Sequence, residues 1–80
     1  MGGEEILAKL TSVFRDVFDD DRIVLTPQTT ARDIDGWDSV ANIRLMVTIE
    51  GELGLKFDVG EFQEYRNVAD LCAGVARRLG

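Results

Sequence analysis

Apolar residues recur at spacings of three and four over parts of this chain, and between those parts the pattern lapses. From Glu4 to Phe18 they fall at Ile6, Leu7, Leu10, Val13, Phe14, Val17 and Phe18, which together make one face of a helix. Glu4 and Glu5 stand in its first turn, where the helix dipole favours acids, and Asp19-Asp20-Asp21 closes it, because aspartate prefers turns and caps to helix interiors. A second helix is predicted from Asp38-Ser39 to Leu53. Ile43, Met46, Val47 and Glu50 line one of its stripes, and Leu45, Ile49 and Leu53 an adjacent one. Asp38 or Ser39 caps its start, and Gly54 suits the position just past its end. Leu55-Lys56-Phe57 reads as a short extended link, after which Asp58 caps a brief helical piece carrying Val59 and Phe62. The last helix opens at Asn67-Val68-Ala69-Asp70, a cap with an acid at the third position. It continues through Leu71, Cys72, Val75 and Leu79, with Arg77 and Arg78 in its final turn.

Residues 19–37 show no sustained period, and Pro27, Thr29, Thr30, Asp33, Asp35 and Gly36 are turn formers. A structureless loop of this length is uncommon in a compact domain and is usually functional. Ile23, Leu25, Ile34 and Trp37 read as apolar pegs that pin it across the top of the helices. No run reads strongly as a strand. The expected architecture is all-α: a small four-helix bundle, three main helices plus a short third one, with a long loop between helices 1 and 2. Residues 1–80 are expected to be one domain.

Composition narrows the chemistry. A chain of 80 residues buries only about 60–65% of its unfolded surface, which leaves no room for a walled active site beside the core. There is no histidine, so the commonest general base and metal ligand is missing, and one cysteine excludes both a disulfide framework and a thiolate zinc site. A net charge of −6 argues against nucleic acid or an anionic membrane as partner and permits basic proteins. The amino terminus is acidic with no apolar run behind it, and Ile6 stands where a myristoylation signal wants Ser or Thr. A soluble, cytoplasmic protein without a membrane anchor is expected. If Gly36 were the sixth position of a calcium loop, its first and twelfth would be Ala31 and Asn42, so two required ligands are missing, and Asp19-Asp20-Asp21 reads as a solvated turn. No metal site is expected. Cys72 lies on the apolar stripe of the last helix and reads as a structural thiol.

One segment has chemical promise. Asp35-Gly36-Trp37-Asp38-Ser39-Val40 puts a serine directly after a turn and at the mouth of an amphipathic helix. Its hydroxyl is exposed there, and the unpaired N–H groups and positive dipole end suit a phosphate ester. Read alone, Asp-Ser-Val is better explained as a helix cap, because so short a motif matches by chance. Gly36 supplies a backbone conformation the turn needs, and Trp37 either packs on the bundle or covers the ground beside Ser39.

Taken with its surroundings, the chain resembles the acyl carrier protein family. The likeness runs through the first helix, Leu25-Thr26-Pro27 and Thr29, Ile34 to Val40, Leu45, Ile49-Glu50, Leu53 to Phe57 and Asn67 to Leu71. The resemblance implies a 4′-phosphopantetheine arm on Ser39, added from coenzyme A by a phosphopantetheinyl transferase with Mg²⁺. The arm would hold acyl groups as thioesters for ligases, transacylases and ketosynthases of fatty-acid, polyketide or related biosynthesis. It implies a non-catalytic, monomeric carrier, with Asp38 aiding recognition by the transferase. Trp37 beside the site is familiar in carriers of specialised pathways. An aminoacyl or peptidyl carrier with the same arm, and an unmodified helical adaptor, stay open as alternatives. In the family the second helix is acidic and meets basic patches on partner enzymes. Here Arg44 interrupts it, and Arg44, Met46, Val47 and Glu50 are the candidate docking residues. Acidity is concentrated instead at 16–38, seven acids against Arg22 and Arg32 for a local charge of −5.

Overall fold

The computed structural model describes residues 2–58 and 60–79. Three α-helices carry the fold: α1 (Gly3–Phe18), α2 (Ser39–Leu53) and α3 (Val68–Leu79), with single 3₁₀ turns at Ala31–Asp33 and Phe62–Glu64. No strand occurs among the described residues. Each helix ends for a local reason. Asp19 leaves α1 in the left-handed region at φ 51°, a conformation that Asp tolerates better than most residues. Gly54 does the same for α2 at φ 68°, and its N–H returns to the Glu50 carbonyl at 2.9 Å.

The helices are held by one apolar core. Ile6, Leu10, Val13 and Phe14 enter it from α1, Leu45 and Ile49 from α2, and Val68, Leu71 and Val75 from α3. Leu25, Leu55 and Phe62 complete it from the connections. Each fully buried side chain of this size contributes about 1.5–3 kcal/mol, so twelve of them hold an otherwise small domain together.

The long loop behaves as its pegs predict. Leu25 is buried, and Ile23, Ile34 and Trp37 are half-buried against the core. The loop is also hydrogen-bonded near its start and at its middle. Arg15 Nε donates to the Ile23 carbonyl at 2.8 Å. The Thr29 and Pro27 carbonyls accept from the N–H groups of Val68 and Ala69, both at 2.9 Å. These are the first two residues of α3, whose N–H groups have no partner inside the helix, so the loop caps α3 from outside. Asn67 Oδ1 takes a third, the Asp70 N–H, at 2.9 Å.

The segment after α2 departs in detail from the expected short helix. It is a single 3₁₀ turn, Phe62–Glu64, and Asp58 does not cap it. The Asp58 N–H donates to Glu61 Oε1 and its carbonyl accepts from the Glu61 N–H, both at 3.1 Å, which makes a turn that leads into the 3₁₀ residues. Val59 lies outside the described residues. Three aromatic rings, Phe57, Phe62 and Tyr65, stack edge to face with centroids 5.4–6.3 Å apart and fasten this segment to the bundle.

Candidate functional site

The turn before α2 aims Ser39 outward. The Ile34 carbonyl accepts from the Trp37 N–H at 3.3 Å, and the Gly36 carbonyl from the Asp38 N–H at 3.0 Å. Between them Gly36 takes φ 86°. A Cβ built there would meet only Phe18 Cδ1, at an ordinary 3.9 Å, so it is backbone strain and not lack of space that favours glycine. Trp37 folds back on the bundle, with its ring edge-on to Phe14 at 5.1 Å and 81°. Its indole N–H donates to the Asn42 side chain, tying the turn to the first turn of α2. Of the two roles the sequence left open for Trp37, packing is the one observed.

Asp38 is the N-cap. Its Oδ1 accepts from the Ala41 N–H at 2.9 Å, and its carbonyl accepts from the Asn42 N–H at 2.9 Å. Ser39 is thus the first helical residue, exposed, with the N–H groups of Ser39 and Val40 facing out of the helix end. A phosphodiester on the Ser39 oxygen fits this geometry. Its negative charge would lie at the positive end of the α2 dipole, beside backbone donors that the helix does not use.

The outer side of α2 is apolar. Val40, Ile43 and Val47 are 67, 55 and 58% exposed, opposite the buried Ala41, Leu45 and Ile49. The four candidate docking residues separate into two pairs. Arg44 and Val47 face solvent. Met46 is half-buried against the core, and Glu50 uses its Oε2 to accept the Phe57 N–H at 2.9 Å. Spacing alone puts Ile43 in a stripe with Met46, whereas the structure leaves Ile43 exposed and Met46 half-buried. The signal for it lay in α2 itself, whose apolar residues are spread over both sides.

The acids at 19–21 frame an open trough of about 1040 Å³ between α1 and the loop, lined also by Ile23, Val24 and Asp35. Asp20 is held by Arg22 at 3.1 Å, and hydrogen bonds from that residue keep its carboxyl below the usual range. Among the described residues no three His, Cys, Asp or Glu side chains converge as a metal site. Cys72 is half-buried, and burial pushes its thiol up, in keeping with a structural role.

These features define a small helical domain with an exposed, helix-capped serine at the head of α2. A family model for the phosphopantetheine attachment site matches residues 8–75. The acyl carrier protein of Thermotoga maritima is 27% identical over 77 residues, spanning 96% of this chain and 95% of that protein. The solution structure of holo acyl carrier protein from Geobacter metallireducens shares 49% identity at a TM-score of 0.84, over 91% of this chain and 84% of that one. The chain belongs to the phosphopantetheine-attachment family, among its acyl carrier proteins. The prosthetic group of that family is 4′-phosphopantetheine.

Proposed function

We propose that residues 1–80 form one acyl-carrier domain whose Ser39 bears the 4′-phosphopantetheine arm and lends acyl groups to successive enzymes. The observation that carries this reading is the exposed Ser39 at the first position of α2, behind a turn that Gly36, Trp37 and Asp38 hold in place. When bound, the arm supplies a terminal thiol on which an acyl group rides as a thioester. The protein's own part is to present the serine oxygen, to balance the phosphodiester charge with the α2 N-terminus, and to offer a surface to partners. It catalyses nothing itself. A phosphopantetheinyl transferase loads it from coenzyme A, and ligases or transacylases and ketosynthases of fatty-acid, polyketide or related biosynthesis use it as a monomer in the cytoplasm. No described helix is long and apolar enough to cross a membrane. Tethering suits a body this small, because it raises the effective concentration of cargo at each enzyme without tight binding.

Intact mass after incubation with coenzyme A, Mg²⁺ and a broad-specificity transferase tests the reading. The wild type is expected to gain one phosphopantetheine, and Ser39→Ala to gain none while keeping its helical circular dichroism. A mass gain on Ser39→Ala would move the site elsewhere. No gain on the wild type would leave a helical adaptor as the better description.

A further inference from the structure

α2 carries an exposed apolar row in which the one charged side chain is positive. Val40, Ile43 and Val47 are spaced three and four apart, and all are more than half exposed, so they form one continuous apolar row along the outside of the helix. Ser39 stands at its head, four residues before Ile43 and therefore on the same side. Arg44 is exposed beside it, four residues after Val40 and three before Val47.

The helix has two acids, and neither offsets this arginine. Glu50 is half-buried with its carboxylate on the Phe57 N–H. Glu52 is exposed but stands eight residues beyond Arg44, about 12 Å further along the helix and past the end of the row. Along the row itself, from Ser39 to Thr48, Arg44 is therefore the one charged side chain, with the exposed acids Asp38 ahead of the row and Glu52 beyond it.

Resting on the carrier reading, we infer that this row binds arm-processing enzymes whose docking strip is apolar and carries a carboxylate opposite Arg44, in place of a basic patch. Any enzyme that takes cargo from an arm on Ser39 comes up against Val40 and Ile43, because they flank that residue on the outward side. Apolar contact then supplies attraction common to all such partners. The sign of the charge at Arg44 selects among them, since a like charge brought against a docking surface disfavours the complex and an opposite one favours it.

A charge swap tests this with a defined probe, a purified malonyl transacylase of fatty-acid synthesis with a basic docking patch, alongside its variant with that patch changed to glutamates. All carrier proteins are first loaded to completion and checked by intact mass, so failure of the carrier reading is seen as a missing mass gain before any docking is measured. Arg44→Glu is expected to raise kcat/KM with the basic probe by roughly three- to tenfold and to lower it by a similar factor with the reversed probe. Ile43→Ser and Val47→Ser are expected to lower kcat/KM with both probes. Equal kinetics for wild type and Arg44→Glu with both probes would overturn the assignment. So would a concentration-dependent dimer of the wild type that Ile43→Ser dissolves, or flotation of the wild type with phosphatidylglycerol vesicles that Ile43→Ser abolishes.

Discussion

Tyr65 reaches across α3 at Gly74, and the two residues have to be read together. A Cβ on Gly74 would overlap the Tyr65 hydroxyl and lie 2.6 Å from its Cζ, inside any real contact. The ring has little freedom to yield, because it is packed on Phe57 and Phe62 and its hydroxyl donates to Glu61 Oε2 at 2.8 Å. Alanine in place of a mid-helix glycine ordinarily gains about 1 kcal/mol. Overpacking costs about 1–3 kcal/mol, so Gly74→Ala is expected to be destabilising here. In a Tyr65→Ala background the same change should become stabilising. Urea denaturation of the four proteins measures the coupling, and a stabilising Gly74→Ala in both backgrounds would show that the ring moves aside freely. Gly36 poses a different problem, one of φ and not of space. Gly36→Ala should cost about 1–2 kcal/mol, the strain of a left-handed non-glycine residue, whereas Gly36→Asn should cost less because asparagine tolerates that region. If the turn aims Ser39, the rate of phosphopantetheine loading by the transferase should fall in the same order.

Between elements, Glu61 joins the segment after α2 to the end of α3. It accepts from Tyr65 and the Asp58 N–H and pairs with Arg78, while Arg77 stands 3.8 Å away. Arg78 Nε also donates to the Lys56 carbonyl at 2.7 Å. The Tyr65 hydrogen bond, then the Asp58 N–H, hold the Glu61 carboxyl below its usual range. Burial, then the bond to Glu61, push the Tyr65 phenol from 10.0 up to about 12. A raised phenol stabilises the fold in its protonated form, so its contribution is whole below pH 10 and is lost as pH rises toward about 12. A depressed carboxyl contributes above its ordinary 4.5 and loses that contribution as pH falls through the lower folded value. Tyr65→Phe is therefore expected to flatten the alkaline limb of the urea midpoint against pH and to shrink the acid limb as well, since Tyr65 is the main cause of the Glu61 shift. Glu61→Gln should flatten the acid limb. An acid limb unchanged in both variants would mean that this cluster does not link α3 to the rest.

How far these elements could be read from sequence follows from where their determinants lie. The three α-helices, their caps at Asp38 and Asn67 and the pegs of the long loop rest on local spacing, and they stand within a residue or two of expectation. The serine at the mouth of α2 was legible for the same reason. The short helix was not, because a single 3₁₀ turn and one turn of α-helix place Phe62 alike and differ only in whether the Glu64 and Tyr65 N–H groups bond three or four residues back. Nor was the outward side of α2. With apolar residues on both sides, periodicity cannot say which row faces the core, and only the packing of α1 against Leu45 and Ile49 decides it. Gly74 had no sequence signal at all, since its partner is a ring that arrives from another element.

Across the whole molecule, charge is distributed against stability. Seven acids and two arginines occupy residues 16–38, and Asp20 with Arg22 is the ion pair formed there among the described residues. Asp19 and Asp21 add to this repulsion, and Asp19 does so at a left-handed position, where its backbone is already under strain. The favourable pairs sit at the opposite part of the chain, around Glu61 and Arg78, and are partly sheltered by side chains that are 16 and 26% exposed. Salt screens exposed charges more than sheltered ones, and the screening length falls from about 30 Å at 0.01 M to about 10 Å at 0.1 M. Repulsion within 16–38 should therefore weaken first as salt is added, and the protein should become more stable instead of less. Thermal unfolding between about 0.01 and 0.5 M sodium chloride is expected to show a rising midpoint. The double variant Asp19→Asn, Asp21→Asn should start higher and rise less, since asparagine also suits the left-handed residue. A midpoint that falls with salt in the wild type would place the dominant electrostatic term in the Glu61–Arg78 pairs. In that case the acidity ahead of Ser39 would have to be counted as tolerated without cost to the fold.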